Sequence, residues 1–342
     1  MENLKDIISI NDYSRVRKDK QIVNSVLSAT RTGSLKFNDK LPSVNELAFD
    51  HNVSRDTVVR AYAFLKENNI IESIPGKGYY LKSACEEIKV KVFLLFNKLC
   101  PYQKKIFDAL SNILNEFATI DLCVYQDDYR QFKKHVLNSK SKEYTHYVLK
   151  ANFNEKEEEV IDFIKNEIPL EKLILLDKKM DQLGEIPCVY QDYENDIYTA
   201  LTKLNPLLRK YSAIKLVFPK IAHLPQGIKK GFLKFCIEEG YEFGIVDDTV
   251  NERMEKSIAY INVEESDLID LIKKARTNDF IIGEDIGIIS YNDSSLKEVL
   301  LDGITVISTD FEQLGEQAGL MVLRNEKEQI RSRFNVLVRK SL

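Results

Sequence analysis

Between Lys40 and Leu81 the chain contains two helix starts and a glycine-turned hairpin in quick succession, and few folds accept that order. In Lys40-Leu41-Pro42-Ser43-Val44-Asn45-Glu46, Ser43 and Glu46 form an S-x-x-E capping box, and Pro42 cannot lie inside a helix, so a short helix starts here. After His51-Asn52-Val53, Ser54 caps another helix, whose Val58, Ala61, Tyr62 and Leu65 follow the 3.6-residue period and leave Arg55, Asp56, Thr57 and Arg60 on its polar start. An earlier apolar stripe (Ile22, Val23, Val26, Leu27 and Ala29) predicts a preceding helix that ends around Gly33. Ile70 to Ile74, a Pro75-Gly76-Lys77-Gly78 turn and Tyr79 to Leu81 then read as a β-hairpin. The expectation is a winged helix-turn-helix.

In such a unit the second helix of the pair enters the major groove of DNA, where arginine donates two hydrogen bonds to guanine. Short side chains at helix starts, here Ser43, Ser54 and Thr57, suit phosphate oxygens, and Gly76 and Gly78 let the backbone and Lys77 approach the sugar-phosphate edge. Blander readings stand beside these. Arg60 pairs with Asp56 one turn earlier, Lys77 is an ordinary turn lysine, and Tyr79 and Tyr80 pack the wing.

Charge supports the division of labour. Residues 1–84 hold 13 Lys and Arg against 10 Asp and Glu, while the remainder holds 36 against 43, so the net charge of -4 conceals a basic N-terminal part.

From Lys89 the pattern changes. Apolar runs at 90–96, 120–125, 147–149, 173–176, 188–190, 214–218, 258–261, 286–290 and 304–307 alternate with helical stretches, which predicts an α/β fold with parallel sheets covered by helices. Roughly ten strands are many for one open sheet, so two lobes with a cleft are expected, and ligands of such sheets bind at the carboxyl ends of strands. Candidate contacts there are Asn97 and Tyr102 after the first run, Asp177 and Lys178 after the fourth, Asp192 after the fifth, and His223 with Gln226 after the sixth. Their bland alternatives are a helix cap for Asp192 and a surface loop for His223. With no Trp in the chain, an aromatic face for a sugar must be Tyr, Phe or His.

Several functions lack their signatures. Four isolated histidines form no metal motif, and no nucleophile elbow, phosphate loop or dinucleotide fingerprint occurs, so neither enzyme activity nor a cofactor is expected. The five cysteines, Cys85, Cys100, Cys123, Cys188 and Cys236, are scattered and read as reduced thiols. No long apolar run and no signal-peptide pattern occur, which predicts a cytoplasmic protein away from membranes.

Residues 20–81 resemble the DNA-binding domain of the GntR family of bacterial regulators, through "KLPSVNELA", "VSRDTVVRAYAFLKENNII" and "PGKGYYL". The resemblance implies that Arg55, Thr57 and the glycine wing tip touch DNA, with Ser43 and Arg60 close by. Residues 89–325 resemble the periplasmic-binding-protein-like effector domain of the lac-repressor family. The segments that carry this likeness are "EDIGIISYNDSSLKEVLLDGITVISTDFEQLGEQAGLMVL", "IPCVYQDYENDIYTALTKL" and "GIKKGFLKFCIEEGY". It implies that the loop Asn292-Asp293 meets effector hydroxyls, with an amide where that family carries a carboxylate, and it sets Glu264-Glu265 where the family carries an Asn-Asp pair. A similar pairing of domains occurs in arabinose- and fucose-responsive repressors. The organisation expected is therefore a DNA-binding domain at residues 1–84 and an effector domain at 85–342. Its partners would be a double-stranded operator, a second copy of the chain and a small effector, L-fucose or a pentose first; a nucleoside, another metabolite or a protein partner is the alternative. A protein that merely coats DNA is disfavoured by the acidic large domain.

Overall fold

A computed structural model describes residues 7–11, 17–67, 70–82, 90–115, 118–153, 157–220, 224–324 and 327–342. The chain separates into two compact units, Met1–Val90 with Leu114–Thr119, and Lys91–Ile113 with Ile120–Leu342. The expected boundary between residues 84 and 85 lies outside the described residues.

The first unit runs α1 (Lys18–Arg31), α2 (Val44–Asp50), α3 (Arg55–Glu67), β1 (Ile71–Ile74) and β2 (Gly78–Leu81). Both halves of the predicted capping box form: the Ser43 side chain accepts from the Glu46 amide at 3.3 Å, and the Ser43 amide donates to the Glu46 carboxylate at 2.8 Å. Ser54 caps α3, accepting from the Thr57 amide at 3.2 Å. The three helices bury Ile22, Val26, Leu47, Val58, Tyr62 and Leu65 with Ile71 and Leu81 of the hairpin. Burial of each large aliphatic side chain is worth about 1.5 to 3 kcal/mol. Tyr62 adds a directional tie, its hydroxyl donating to the Pro42 carbonyl at 2.7 Å and its ring meeting Tyr79 edge-on at 4.7 Å, which sets α3 against the start of α2 and the wing. At the wing tip, Lys77 N donates to Ile74 O at 3.0 Å across Pro75-Gly76, and Gly76 takes φ +73°, as a type II turn requires of its third residue.

The second unit alternates strand and helix: β3 (Val90–Phe96), α4 (Pro101–Leu114), β4 (Ala118–Val124), α5 (Tyr129–Ser139), β5 (His146–Leu149), α6 (Glu157–Glu167), β6 (Leu173–Asp177) and β7 (Cys188–Tyr190), apart from the ends of β3, α4 and β4 that are grouped with the first. It continues with α7 (Tyr193–Leu208), β8 (Ala213–Val217), α8 (Gln226–Glu239), β9 (Glu242–Val246), β10 (Ile258–Asn262), α9 (Glu265–Thr277), β11 (Ile286–Tyr291), α10 (Ser295–Val299), β12 (Thr305–Thr309), α11 (Phe311–Arg324), β13 (Gln329–Arg331) and β14 (Phe334–Leu337). These strands form two six-stranded sheets, in the orders β13-β7-β6-β5-β3-β4 and β14-β12-β11-β10-β8-β9. Their central strands are buried on both faces and read as continuous apolar runs, which is the signature of a parallel sheet covered by helices.

Two corrections follow. There are three more strands than the apolar runs announced, β9, β13 and β14, all on sheet edges and partly exposed. And β14 runs antiparallel to β12, Val306 facing Leu337, so the second sheet is not wholly parallel.

The chain passes between the two sheets three times, after β7, after β12 and after β13, so both lobes share one hinge of three crossings. In the second lobe α7 and α8 pack at backbone distance: a Cβ on Gly231 would lie 2.1 Å from the Glu194 carbonyl oxygen. Among the described residues no helix is long and apolar enough to cross a membrane.

Candidate functional site

The first unit presents a candidate nucleic-acid interface at the start of α3. Arg55 is exposed in its first turn, and Ser43 is exposed as the N-cap of α2. The Ser54 and Thr57 hydroxyls lie 2.8 Å apart, and Arg60 Nη2 donates to Thr57 Oγ1 at 3.4 Å. Arg60 does not pair with Asp56 as the bland reading expected; its guanidinium instead lies 3.9 Å from Asp19 of α1, which Arg17 also holds at 2.9 Å. Lys77 is exposed at the wing tip, followed by Gly78 at φ +114°. Tyr80 caps the turn, its hydroxyl donating to Lys77 O at 3.4 Å, and with Tyr79 on Tyr62 both tyrosines serve the wing. Exposed cationic and hydroxyl groups on one helix start, together with an exposed lysine at a hairpin tip, match the chemistry of a duplex edge.

In the second unit the carboxyl ends of the strands carry polar side chains on both lobes. At the first lobe Asn97 is buried, its amide nitrogen donating to Asp127 at 2.8 Å and its oxygen accepting from Gln103 at 3.3 Å. Asp177 is not on a loop but ends β6, and it is saturated. Lys150 lies 3.0 Å from it, Asn152 donates to it at 3.0 Å, and Gln191 Nε2 and the Tyr193 hydroxyl also donate. Burial alone would raise its carboxyl, but the Lys150 ammonium and these donors outweigh that and hold it below the usual carboxylate range. Lys178 pairs with Glu157 at 2.8 Å. Asp192 caps α7, accepting from Asn195 N at 3.4 Å, and lies 3.8 Å from Arg331. Gln226 is exposed as the first residue of α8, and His223 lies outside the described residues.

The hinge grows out of the same groups. Thr309 Oγ1 donates to Gln191 Oε1, Ser332 N donates to Tyr190 O at 2.7 Å, and Asp310 N donates to Arg333 O at 2.9 Å, so the three crossings are stitched side by side. Arg331 Nη2 reaches the buried Asp196 at 2.6 Å. Tyr102 spans the lobes: its ring stacks on Phe311 at 5.1 Å and its hydroxyl donates to Glu265 at 3.3 Å. Burial and the Glu265 charge push that hydroxyl's pKa upward, so it stays a donor.

At the second lobe Asn292 follows β11 in a left-handed conformation, φ +62°, and Asp293 is held by Arg339 through two bonds of 2.9 and 3.0 Å. Buried polar atoms without a partner gather at these strand ends: Asn262 Oδ1, Ser290 Oγ, Tyr291 OH and Asn292 Oδ1. Such groups cost free energy unless something pairs with them. The end of β10 is Asn262, two residues before the Glu264-Glu265 pair singled out in the sequence. Asn262, Lys150, Asn152 and Gln191 were not anticipated, although each sits just past or at the end of an apolar run, the same signal that pointed to Asp177.

An acidic knot marks the start of α9. Burial, with Glu264, Asp270 and Asp248 nearby, pushes the Asp267 carboxyl up to about 6, and its Oδ2 is buried without a partner. A raised carboxyl destabilises the fold once it ionises, so the cost is absent below about pH 4, where the unfolded chain is protonated too, and complete above pH 6. Asp267→Asn is therefore expected to raise stability by about 1 to 2 kcal/mol at pH 7.5 and to leave it unchanged at pH 3.5. Chemical denaturation at the two pH values measures both.

Residues 18–81 match the model of the bacterial regulatory proteins of the gntR family. These residues form a gntR-type DNA-binding domain. The mannosyl-D-glycerate transport/metabolism system repressor MngR of Escherichia coli is 30% identical over 112 residues, 33% of this chain and 44% of that protein, so the match spans under half of that relative. The fold of the second unit is shared with the lac repressor dimer bound to operator and the anti-inducer ONPF, at 14% identity and a TM-score of 0.63 over 74% of this chain and 94% of that one. A periplasmic binding protein/LacI transcriptional regulator from Alkaliphilus metalliredigens complexed with D-xylulofuranose shares it too, at 14% identity and a TM-score of 0.58 over 73% and 98% of the two chains.

Proposed function

We propose that the protein is a transcription regulator of the repressor type. As a homodimer it binds a double-stranded operator through α3 and the wing, and a small effector held between the lobes of its second unit controls that binding. The observation that carries this reading is the join itself: a gntR-type DNA-binding domain on a two-sheet unit whose lobes share a three-crossing hinge. Arg55 takes base edges, while Ser43, Ser54, Thr57, Arg60, Gly76, Lys77 and Gly78 take the backbone of the duplex.

The effector is a monosaccharide, L-fucose or a pentose first. Strand-end acceptors such as Asn262 and Asn292 suit hydroxyl donors, and the stacked Tyr102 and Phe311 offer an aromatic edge. A relative that represses a sugar-glycerate system and a structural neighbour carrying D-xylulofuranose support a sugar-like ligand. Asn97, Asp177, Lys178 and Asp192 line or brace the first lobe's strand ends, and Asn292 and Asp293 the second's. Lobe closure around the effector changes the hinge, and a differential of about 1 to 3 kcal/mol between two hinge states alters operator occupancy 5- to 150-fold.

A thermal-shift screen of the purified protein against monosaccharides tests this. A ligand at 100 times its Kd is expected to stabilise the protein by about 2.7 kcal/mol. A rise confined to one or two sugars names the effector. No rise with any sugar, phosphorylated sugars included, removes the sugar reading and leaves a nucleoside, another metabolite or a protein partner, with the DNA-binding assignment unaffected.

A further inference from the structure

Lys297 is a lysine where a lysine is costly. It lies in the short helix α10 with 1% of its surface exposed, and its Nζ donates to two main-chain carbonyls, Tyr291 O at 3.0 Å and Asn292 O at 2.8 Å. The main chain of the same residue is anchored too, Ile304 N donating to Lys297 O at 2.8 Å. The residue it reaches, Asn292, holds a backbone conformation that non-glycine residues adopt rarely, and it does so at the end of β11 with its side-chain oxygen buried and unpaired.

We infer that Lys297 is the positioning residue of this strand end: its ammonium ties down the carbonyls of Tyr291 and Asn292 and so keeps Asn292 in its left-handed place. The surroundings favour a retained, charged tie over a packing element. Glu264 and Glu265 from the start of α9 and Asp293 from the adjoining loop face the ammonium and favour its charge, while Arg339 opposes it. Burial outweighs them and depresses the group to about 8, so the buried charge lowers stability near neutral pH. A methionine would fill the same space without that cost. A chain that keeps lysine there gives up stability for a fixed loop geometry. What Asn292 then touches rests on the effector reading; the tie itself does not.

Hydrogen–deuterium exchange of the full chain, without any ligand, separates the two. In Lys297→Met the amides of Asn292, Asp293 and Ser294 are expected to exchange roughly tenfold faster or more, with the rest of the lobe unchanged. The thermal midpoint is expected to match or exceed that of the wild type at pH 7, and the difference to shrink as pH rises from about 8 to about 10, where the wild-type lysine loses its charge in the folded state. Unchanged exchange at these amides would mean that the Asp293–Arg339 pair holds the loop alone, and it overturns the inference. So does a lower midpoint with faster exchange spread through the whole lobe, which is the behaviour of a packing residue. Selective loosening combined with a sugar screen that finds nothing keeps the tie and removes only the effector reading.

Discussion

Asp177→Ala is expected to lower the unfolding free energy by about 3 to 5 kcal/mol. The carboxylate and its partner Lys150 have side chains only 2% and 10% exposed, so neither charge has water to fall back on. Removing the carboxylate strands the ammonium and also leaves the Asn152 amide, the Gln191 amide and the Tyr193 hydroxyl without their common acceptor. The cost of an unpaired buried group is the full desolvation penalty, which is why breaking such a pair is far more harmful than replacing both members. Asp177→Leu combined with Lys150→Met is accordingly expected to recover the part of the loss that comes from the stranded ammonium, while the three donors still lack their acceptor. Acid adds an independent check. The folded carboxyl lies below its unfolded value, so its contribution is complete above about pH 4 and disappears as pH falls through the folded pKa. The gap between wild type and Asp177→Ala must therefore narrow below about pH 4. Denaturant titrations that show a gap under 1 kcal/mol at pH 7 would mean that Lys150 reaches water without its partner.

The same network explains why the second unit was only partly legible. Strands buried on both faces announce themselves as apolar runs because burial forces the pattern; of the nine runs in the sequence only that of β4 belongs to a half-exposed edge strand. The edge strands β9, β13 and β14 have one face or more in solvent, so Gln329-Ile330-Arg331 satisfies the sheet without looking like a strand. Local chemistry was equally readable: Ser43 with Glu46 and Ser54 with Thr57 cap their helices within three residues, and no distant group can alter that. The candidate site was not, since its geometry depends on pairs far apart in sequence. Lys150 meets Asp177, Thr309 meets Gln191 and Arg339 meets Asp293, and nothing within a short window of the chain signals any of them. Lys297 is the extreme case, a lysine in a five-residue helix that reads as surface until the fold closes over it.

Arg55→Ala is expected to cost about 1 to 3 kcal/mol of specific DNA binding, a 5- to 150-fold loss on an operator selected by the wild-type protein from a random library, and clearly less on random DNA. Arg55 stands in the first turn of α3, the position from which a recognition helix addresses base edges, and it is exposed. Arg60 is placed differently. It already reaches Thr57 and lies near Asp19, so part of its binding must be traded against contacts it has, and Arg60→Ala is expected to lose less. On the proposed assignment Lys77, exposed at the tip of a glycine turn, meets the sugar-phosphate edge, and Lys77→Ala is expected to weaken operator and random DNA alike while reducing the salt dependence of binding by about one unit of slope. Titrations of both DNAs at several salt concentrations separate these roles. Equal losses on the two DNAs for Arg55→Ala, with a reduced salt slope, would move Arg55 to the phosphates and leave base reading to other residues of α3.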